Sequence, residues 1–355
     1  MEIEVFSKTD NSYNYESVEI IDTFKTLSET LNWFTANEFT LTLPLDKNIV
    51  KLIVPDTCLL IDGTYYYVDR ATSDGREELM ISGSSLAQKA DNRIILTNWN
   101  QQAKPEKIAY DLINSYVVGG SNPISFLTLS TLSEFSVSSV RYQKSYGNVM
   151  EEIATLAETY GFGFVEKPKT FYKPSSMITF SKGKDVSKNV EFSVENENLL
   201  DESYENNNFD EATVAYVFGE GEGSARKMVV VNDGIKGINR KEIYVDAKDL
   251  QKETDGVIYT DAQYLELLRE RGKEKLAEQQ KILQLAGSIN TRDSLFKYGV
   301  DYQLGDRVSV RSSLFNLRYT TQLTSITKIW DETGFYIDPV FGKESPTIFD
   351  ILRRK

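Results

Sequence analysis

Apolar and polar positions alternate in the first quarter of the chain. Phe39, Leu41 and Leu43 are separated by Thr40 and Thr42, the period-2 pattern of a half-buried strand, and Pro44 closes it. Cys58 to Ile61 and Thr64 to Val68 flank Asp62-Gly63, a dipeptide suited to the positive φ angles of a type I′ turn, which predicts a hairpin. Asp74-Gly75 repeats the signal between Tyr67 and Glu77. Two such turns in succession predict a meander of at least three strands within residues 1 to 95. A small antiparallel barrel or sandwich is the expected closure, because closing a sheet hides its edges.

From residue 96 to 190 helical periods appear. Pro105 opens a helix with Ile108, Leu112 and Tyr116 on one face, and Gly119-Gly120 ends it. Val149, Ile153, Leu156 and Tyr160 form the stripe of a second helix, stopped by Gly161. Strands are expected near Phe162 to Glu166 and Met177 to Ser181, which makes this segment α+β. Residues 191 to 211 then carry eight acids, Glu191, Glu195, Glu197, Asp201, Glu202, Glu205, Asp210 and Glu211, with no Lys or Arg. Phe192, Val194, Leu199, Leu200 and Phe209 interrupt them, so the tract is not a plain disordered acidic run. Strands resume at Ala212 to Phe218 and Lys227 to Val231. A long helix is predicted from about Asp261 to Ala286, with Thr260 and Gln263 as a capping box and Gly287 as its stop. Asp306 to Arg311, Thr320 to Trp330 and Gly334 to Asp338 read as strands, before a basic tail of Arg353, Arg354 and Lys355. The whole is mixed β-rich α+β: a first β domain (1–95), an α+β domain (96–190), and a second β domain (191–355) with a helical insertion at about 255–287.

Composition narrows the chemistry. The 355 residues contain no histidine and one cysteine, Cys58. Ser-His-Asp and Cys-His nucleophiles, His-ligated zinc and imidazole pH switches are thereby excluded. So are internal disulfides and Cys-rich metal sites. The formal charge of −13 argues against sequence-independent binding to nucleic-acid backbones. No apolar run is long enough to span a bilayer, and Met1 to Asp10 has no signal-peptide pattern.

Four features suggest chemistry, and each has a plainer reading. Gly219-Glu-Gly-Glu-Gly223 resembles a phosphate-binding loop, but Glu220 and Glu222 would repel phosphate and a strand follows, so a flexible turn between strands is expected. The acidic tract lacks the spacing of a calcium loop and reads as a solvated or assembly-facing surface. Asp301 and Asp306 are a tempting carboxylate pair, yet Gly305 and Asp306 fit a turn leading into a strand. Tyr65-Tyr66-Tyr67, Tyr142 and Tyr146 could stack on sugars, although alternate residues of a strand face opposite sides and one or two of the triplet belong to a core or interface. No catalytic, cofactor-binding or metal-ligating residue is singled out, and an enzyme is disfavoured.

Several segments together resemble the tail-hub proteins of siphophages and prophages of Gram-positive bacteria, the structural region also found at the N-terminus of tail-associated lysins. Asn37-Glu-Phe-Thr-Leu-Thr-Leu-Pro44 looks like the first strand pair of that family. Leu60-Ile-Asp-Gly-Thr-Tyr-Tyr-Tyr67, Ile81-Ser-Gly-Ser-Ser-Leu86 and Arg93-Ile94 resemble its hairpin and the segment after it. Asn148 to Phe164 looks like its helix ending in Gly-Phe-Gly, and Gly219 to Gly223 with Arg226 resembles its glycine-rich turn. The most specific stretch contains Arg271-Gly272, Leu276-Ala277-Glu278 and Tyr298-Gly-Val-Asp-Tyr-Gln-Leu-Gly-Asp306.

The resemblance implies a non-enzymatic virion part at the tail tip or baseplate. Such hubs are homotrimers in which each chain supplies two tube-type β-barrel domains. Three chains then make a pseudo-sixfold ring that docks on a hexameric distal tail protein, meets the C-terminus of the tape-measure protein and neighbours receptor-binding or baseplate proteins. The expected role is to cap the tube, adapt sixfold to threefold symmetry and gate release of tape measure and DNA. With 355 residues and against the tail-lysin version of the family, no wall-degrading activity is expected of this chain. Two alternatives stay open: a carbohydrate-binding receptor protein of the tail, and a carboxylate-based cell-wall hydrolase. In a trimer the formal charge would be 3 × −13, or −39, which suits an acidic conduit that repels DNA phosphates.

Overall fold

The computed structural model describes residues 1–9, 13–254, 256–289 and 295–342. The tail residues Arg353, Arg354 and Lys355 and the side chain of Asp201 fall outside what it describes. The first third comprises β1 (Ile3–Lys8), β2 (Tyr15–Ile21), β3 (Thr26–Asn32), β4 (Glu38–Pro44), α1 (Lys47–Leu52), β5 (Cys58–Ile61), β6 (Thr64–Thr72) and β7 (Glu78–Ser85). Asp62 and Gly63 take φ of 43° and 80°, so the β5–β6 turn is the tight one its sequence predicts. At the next turn only Gly75 is left-handed, and Asp74 accepts the Arg76 N–H at 3.0 Å in a longer connection. The strands pair in the order β3-β4-β7-β6-β5-β1-β2. Val5, Ile21, Leu27, Leu41, Leu59, Tyr66 and Ile81, one from each strand, meet in a single apolar cluster. One face of the sheet therefore carries a continuous apolar core.

The middle of the chain forms β8 (Ile94–Ala103), α2 (Pro105–Ile113), β9 (Leu127–Leu129), β10 (Val140–Asn148), α3 (Val149–Tyr160), β11 (Gly163–Pro168) and β12 (Ser176–Ser181). Pro105 is the first residue of α2, which widens into a π turn over Asn114–Val118 before Gly119. Asn148 caps α3 by accepting the Met150 and Glu151 N–H groups at 2.8 and 3.1 Å, and Gly161 ends it at φ 69°. β8 and β10, which no alternation announces in the polar run Thr97 to Gln102, pair as a separate ribbon. Ile108, Leu112, Ile153 and Phe164 pack on Phe6, Cys58, Tyr65 and Tyr67. Strand β6 is thus covered twice: Tyr65 and Tyr67 face the helices, while Tyr66 and Val68 face the core of the first sheet.

The last part comprises β13 (Glu191–Phe192), β14 (Leu200–Asn207), β15 (Val214–Phe218), β16 (Met228–Val231), β17 (Glu242–Asp246), β18 (Glu253–Thr254), β19 (Val257–Ile258), α4 (Asp261–Glu278), β20 (Ile282–Ser288), β21 (Arg307–Ser312), β22 (Leu317–Asp331) and β23 (Gly334–Gly342). β14 pairs directly with β20, so everything between them is an inserted layer. In that layer α4 lays Tyr264, Leu267 and Leu268 on Val217, Val231 and Val245 of the β16-β15-β17 sheet. Thr260 and Gln263 form the expected capping box.

The helix, however, ends at Glu278 rather than near Ala286, and Ile282–Ser288 is a strand. Pairing with β14 on one side and β23 on the other satisfies both rows of β20 backbone groups, which outweighs local helix propensity. Gly287, expected as a helix stop, sits in that strand, where a Cβ would lie 2.7 Å from the Leu200 carbonyl oxygen.

Strand β22 changes partner along its length: Leu317 to Gln322 pair with β21, and Ser325 to Trp330 pair with β3. First and last thirds therefore share one sheet, ordered β14-β20-β23-β22-β3-β4-β7-β6-β5-β1-β2. Two devices fix this junction. Glu29 on β3 is fully buried and accepts the Tyr66 hydroxyl at 2.7 Å and the Lys328 ammonium at 2.9 Å. Lys328 also donates to Asp62 at 2.6 Å. Burial pushes Glu29 up; burial also opposes the Lys328 charge, but the carboxylates of Glu29 and Asp62 hold its pKa above the usual lysine value. The second device is Trp33, just after β3 and 1% exposed, whose ring lies between Gly163 and Gly305. The Trp33 backbone N–H donates to the Thr324 carbonyl at 3.0 Å, and the Trp33 backbone carbonyl accepts the Phe164 N–H at 3.2 Å.

Charged and hydrogen-bonded groups cluster where α4 packs on β10 and α3, and Tyr160 and Glu270 join across the contact. Arg271 donates twice to Asp249, at 3.1 and 2.9 Å, and lies 3.3 Å from Glu274. Tyr142 donates to Glu152 at 2.9 Å, Glu152 pairs with Lys144, and Tyr160 donates to Glu270. Burial pushes the Glu274 carboxyl up to about 7, against the pull of Arg271. The folded chain then keeps a proton that the unfolded chain gives up above the ordinary glutamate value. This contribution to stability is present in acid and lost as pH rises from the usual carboxylate range through about 7. Glu274→Gln should remove a slope of up to about 1.4 kcal/mol per pH unit, read from urea unfolding at about pH 5 to 8. An unchanged slope in the variant would contradict this assignment.

Candidate functional site

The joint between β22 and β3 leaves one broad strand face uncovered. Cross-strand pairing sets Asp338, Thr327, Thr30, Glu38 and Ser84 in one row. Tyr336, Ile329, Ser28, Thr40, Ser82 and Arg70 make the next. These positions alternate with Leu27, Phe39, Leu41 and Ile81, which turn into the core. Thr30 and Thr327 hydrogen-bond across the joint at 3.1 Å, and Ser84 donates to Asp69 at 2.6 Å. A shallow groove of about 240 Å3 runs over Ser28, Thr30, Glu38, Thr40, Ser82, Ser84 and Asp69. The charges along it are Glu38, Asp69 and Asp338 against Arg70, with the Lys89 ammonium 3.5 Å from Asp69, while the neighbouring Lys328 points the other way, into its carboxylate cage. Small hydroxyls on a rigid, net acidic sheet present a smooth polar surface with little for a phosphate to grip.

The residues that stood out in the sequence lie elsewhere and are tied into the fold. Tyr65, Tyr66 and Tyr67 are all buried, which withdraws the whole triplet from any sugar-stacking role. Tyr142 is buried as well, and Tyr146 is exposed at φ 62° beside a bulge in β10. The Gly219 to Gly223 loop joins β15 to β16 as expected, but it is braced rather than loose. Arg226 donates to the Phe218 and Gly219 carbonyls at 2.7 Å each, and the Glu220 N–H donates to the Tyr264 hydroxyl at 2.7 Å.

The acidic tract is also spoken for. Glu191 pairs with Arg311 at 3.2 Å and Arg318 at 2.9 Å, and Glu202 accepts the Ser312 hydroxyl at 2.9 Å. Hydrogen bonds at Ser313 hold Glu195 down to about 2. Asp301 accepts the Lys297 N–H at 2.8 Å, while Asp306 is buried and accepts the Lys184 and Gln303 N–H groups at 2.7 and 2.9 Å. Gly305, at φ 87°, makes the turn between them and β21. Among the described residues no group of three Asp, Glu or Cys side chains is placed to hold a metal ion.

What periodicity missed is the Glu29, Lys328, Asp62 and Tyr66 network. Its one sequence signal was a lysine set among Ile326, Ile329 and Trp330 in a strand.

This architecture has solved counterparts. Prophage tail protein gp18 from Listeria monocytogenes superposes with a TM-score of 0.57 at 11% identity, over 99% of this chain and 98% of that one. The 43 kDa tail protein of prophage MuSo2 from Shewanella oneidensis gives 0.57 at 12% identity, over 96% and 98%. A tail protein from Neisseria meningitidis gives 0.54 at 12% identity, over 96% and 97%. At these identities the likeness establishes the fold. No curated protein matches the chain in sequence. The model of the Siphovirus ReqiPepy6 Gp37-like proteins matches residues 2–343, and the chain belongs to that family of siphovirus structural tail proteins.

Proposed function

We propose that three copies of this chain form the hub that closes the distal end of a siphophage or prophage tail tube, in a phage of a Gram-positive host. The observation that carries the reading is the single sheet built from both ends of the chain. Four strands from the last third, β14-β20-β23-β22, continue into four from the first, β3-β4-β7-β6. Two similar units per chain let a trimer meet a sixfold partner, here a hexameric distal tail protein. The sheet, whose outermost strands are β14 and β2, also offers usable edges. β14 pairs only with β20 among the described residues, and Arg70 to Thr72 of β6 pair only with β7. Head-to-tail addition of β14 to β6 of the next copy would close a ring. The division into tube-type units at 1–95 and 191–355, with 96–190 peripheral, is part of this proposal.

In that ring the hydroxyl-rich face with Glu38, Asp69 and Asp338 lines the lumen. It would repel phosphate and let DNA pass without sticking. The hub holds the C-terminus of the tape measure, is flanked by receptor-binding or baseplate proteins, and opens when they engage the host. It acts by assembly and needs no catalytic group or cofactor. Sugar recognition loses the tyrosine triplet and Tyr142, which are buried, and keeps only Tyr146 of its candidates.

Negative-stain microscopy of the chain mixed with its distal tail protein should give threefold particles stacked on sixfold rings. Isolated monomers in that mixture would overturn the reading. A ring whose lumen is lined by lysine and arginine would overturn the charge argument alone.

A further inference from the structure

We propose that the tip of the β11–β12 hairpin is a contact for an anionic phospholipid surface. Residues 167–188 carry six lysines against the single acid Asp185, in a chain of net charge −13. Lys167, Lys169 and Lys173 are exposed around the tip, and none makes an ion pair with a described residue. Between them Phe171 and Tyr172 stand 63% and 79% exposed. Neither ring takes part in the nearby core, which Phe164, Ile178 and Phe180 complete from the roots of the same hairpin.

The tip is built rather than loose. The Lys169 N–H donates to the Ser175 carbonyl at 2.9 Å, and the Thr170 hydroxyl donates to the Lys173 carbonyl at 2.9 Å. Two exposed aromatic rings are thus carried on a hydrogen-bonded turn, flanked along the chain by three exposed lysines.

Area decides between kinds of partner. Two aromatic side chains can bury roughly 300–500 Å2. A specific protein interface needs about 1,200 Å2 or more in total. A fluid bilayer needs no matching pocket. It takes aromatic rings at headgroup depth and lets lysine stems lie along it with their charges at the phosphates. Acids elsewhere on the chain oppose the contact only within the screening length of about 8–10 Å. One copy suffices for the contact, and several copies would strengthen it by avidity.

The test is flotation of the purified full chain with vesicles of phosphatidylcholine alone or mixed with phosphatidylglycerol. Binding is expected only with phosphatidylglycerol, and it should weaken as salt is raised. Each lysine near such a surface is worth roughly fivefold, so K167E/K169E/K173E should reduce partitioning on the order of 100-fold. F171S/Y172S should also release the protein, with an unchanged melting temperature because both rings are exposed. Tyr172→Trp gives a second readout, an emission shift to the blue on adding phosphatidylglycerol vesicles. Absence of vesicle binding, or full binding by either multiple variant, would overturn the proposal. So would binding to soluble polyphosphate without any vesicle partitioning, which would assign the tip to a soluble polyanion.

Discussion

Lys328→Met should destabilise the chain by about 3–5 kcal/mol, the usual cost of removing one partner from a buried ion pair. Without the ammonium, Glu29 remains fully buried with the Tyr66 hydroxyl as its hydrogen-bond donor, and Asp62 loses its contact at 2.6 Å. Glu29 must then take up a proton or open the sheet where β22 meets β3. Replacing both partners, as in Lys328→Met with Glu29→Met, should recover a large part of the loss, because an apolar pair in a packed site carries no orphan charge. Urea unfolding of the two single variants and the double variant measures this coupling. A single variant within about 1 kcal/mol of the parent, or a double variant no better than the singles, would mean that the network does not hold the junction. In an assembled ring the same weakness would appear as splitting of the sheet between its first-third and last-third strands.

Gly305→Ala should cost about 2–5 kcal/mol, from two separable causes. The new Cβ would lie 2.2 Å from Cζ3 of Trp33, and the residue would have to hold φ 87°. Overpacking of that kind costs roughly 1–3 kcal/mol, and a left-handed conformation for a residue with a Cβ adds about 1–2. Gly163→Ala attacks the same ring from the other side, but there the Cβ would also meet the Trp33 carbonyl oxygen at 2.2 Å. Shrinking the ring separates the two cases. Trp33→Leu should relieve the steric part of Gly305→Ala, while it cannot rescue Gly163→Ala, where the clash includes backbone. Melting temperatures of the three single variants and the two doubles test this. Equal rescue of both glycine variants would show that the Trp33 backbone is free to move, contrary to its bonds with Thr324 and Phe164.

Both predictions concern a place where three distant parts of the chain meet, and sequence reasoning reached its components only singly. No alternation marks Thr26–Asn32 as a strand, and Trp33 carries no signal, since a lone tryptophan has no period. Gly163 is legible as a strand entry after a helix and Gly305 as a turn before a strand. Their common role as the two walls of one slot is visible only once the walls stand together. The candidate face was half legible in the same way. The alternation of Phe39, Leu41 and Leu43 with Thr40 and Thr42 already implied a polar side, and Thr40 lies on it. That this side continues through Thr30 and Thr327 into Asp338 depended on pairings that no local pattern encodes.

The sequence by itself determined whatever acts over a few residues. The Asp62-Gly63 hairpin, the Asn148 and Thr260 caps and the glycine stop at Gly161 follow from backbone stereochemistry and nearest-turn hydrogen bonds. The absence of histidine removed whole classes of catalysis before any fold was known. Tertiary structure decided the rest. It cut the predicted long helix at Glu278, because Ile282 to Ser288 found hydrogen-bond partners on both sides. It buried three consecutive tyrosines by covering both faces of one strand. It also turned two β-rich ends of the chain into one sheet, through β22 and β3. Strand pairing is a bargain between backbone groups that the chain brings together from far apart, and no window of sequence contains both parties.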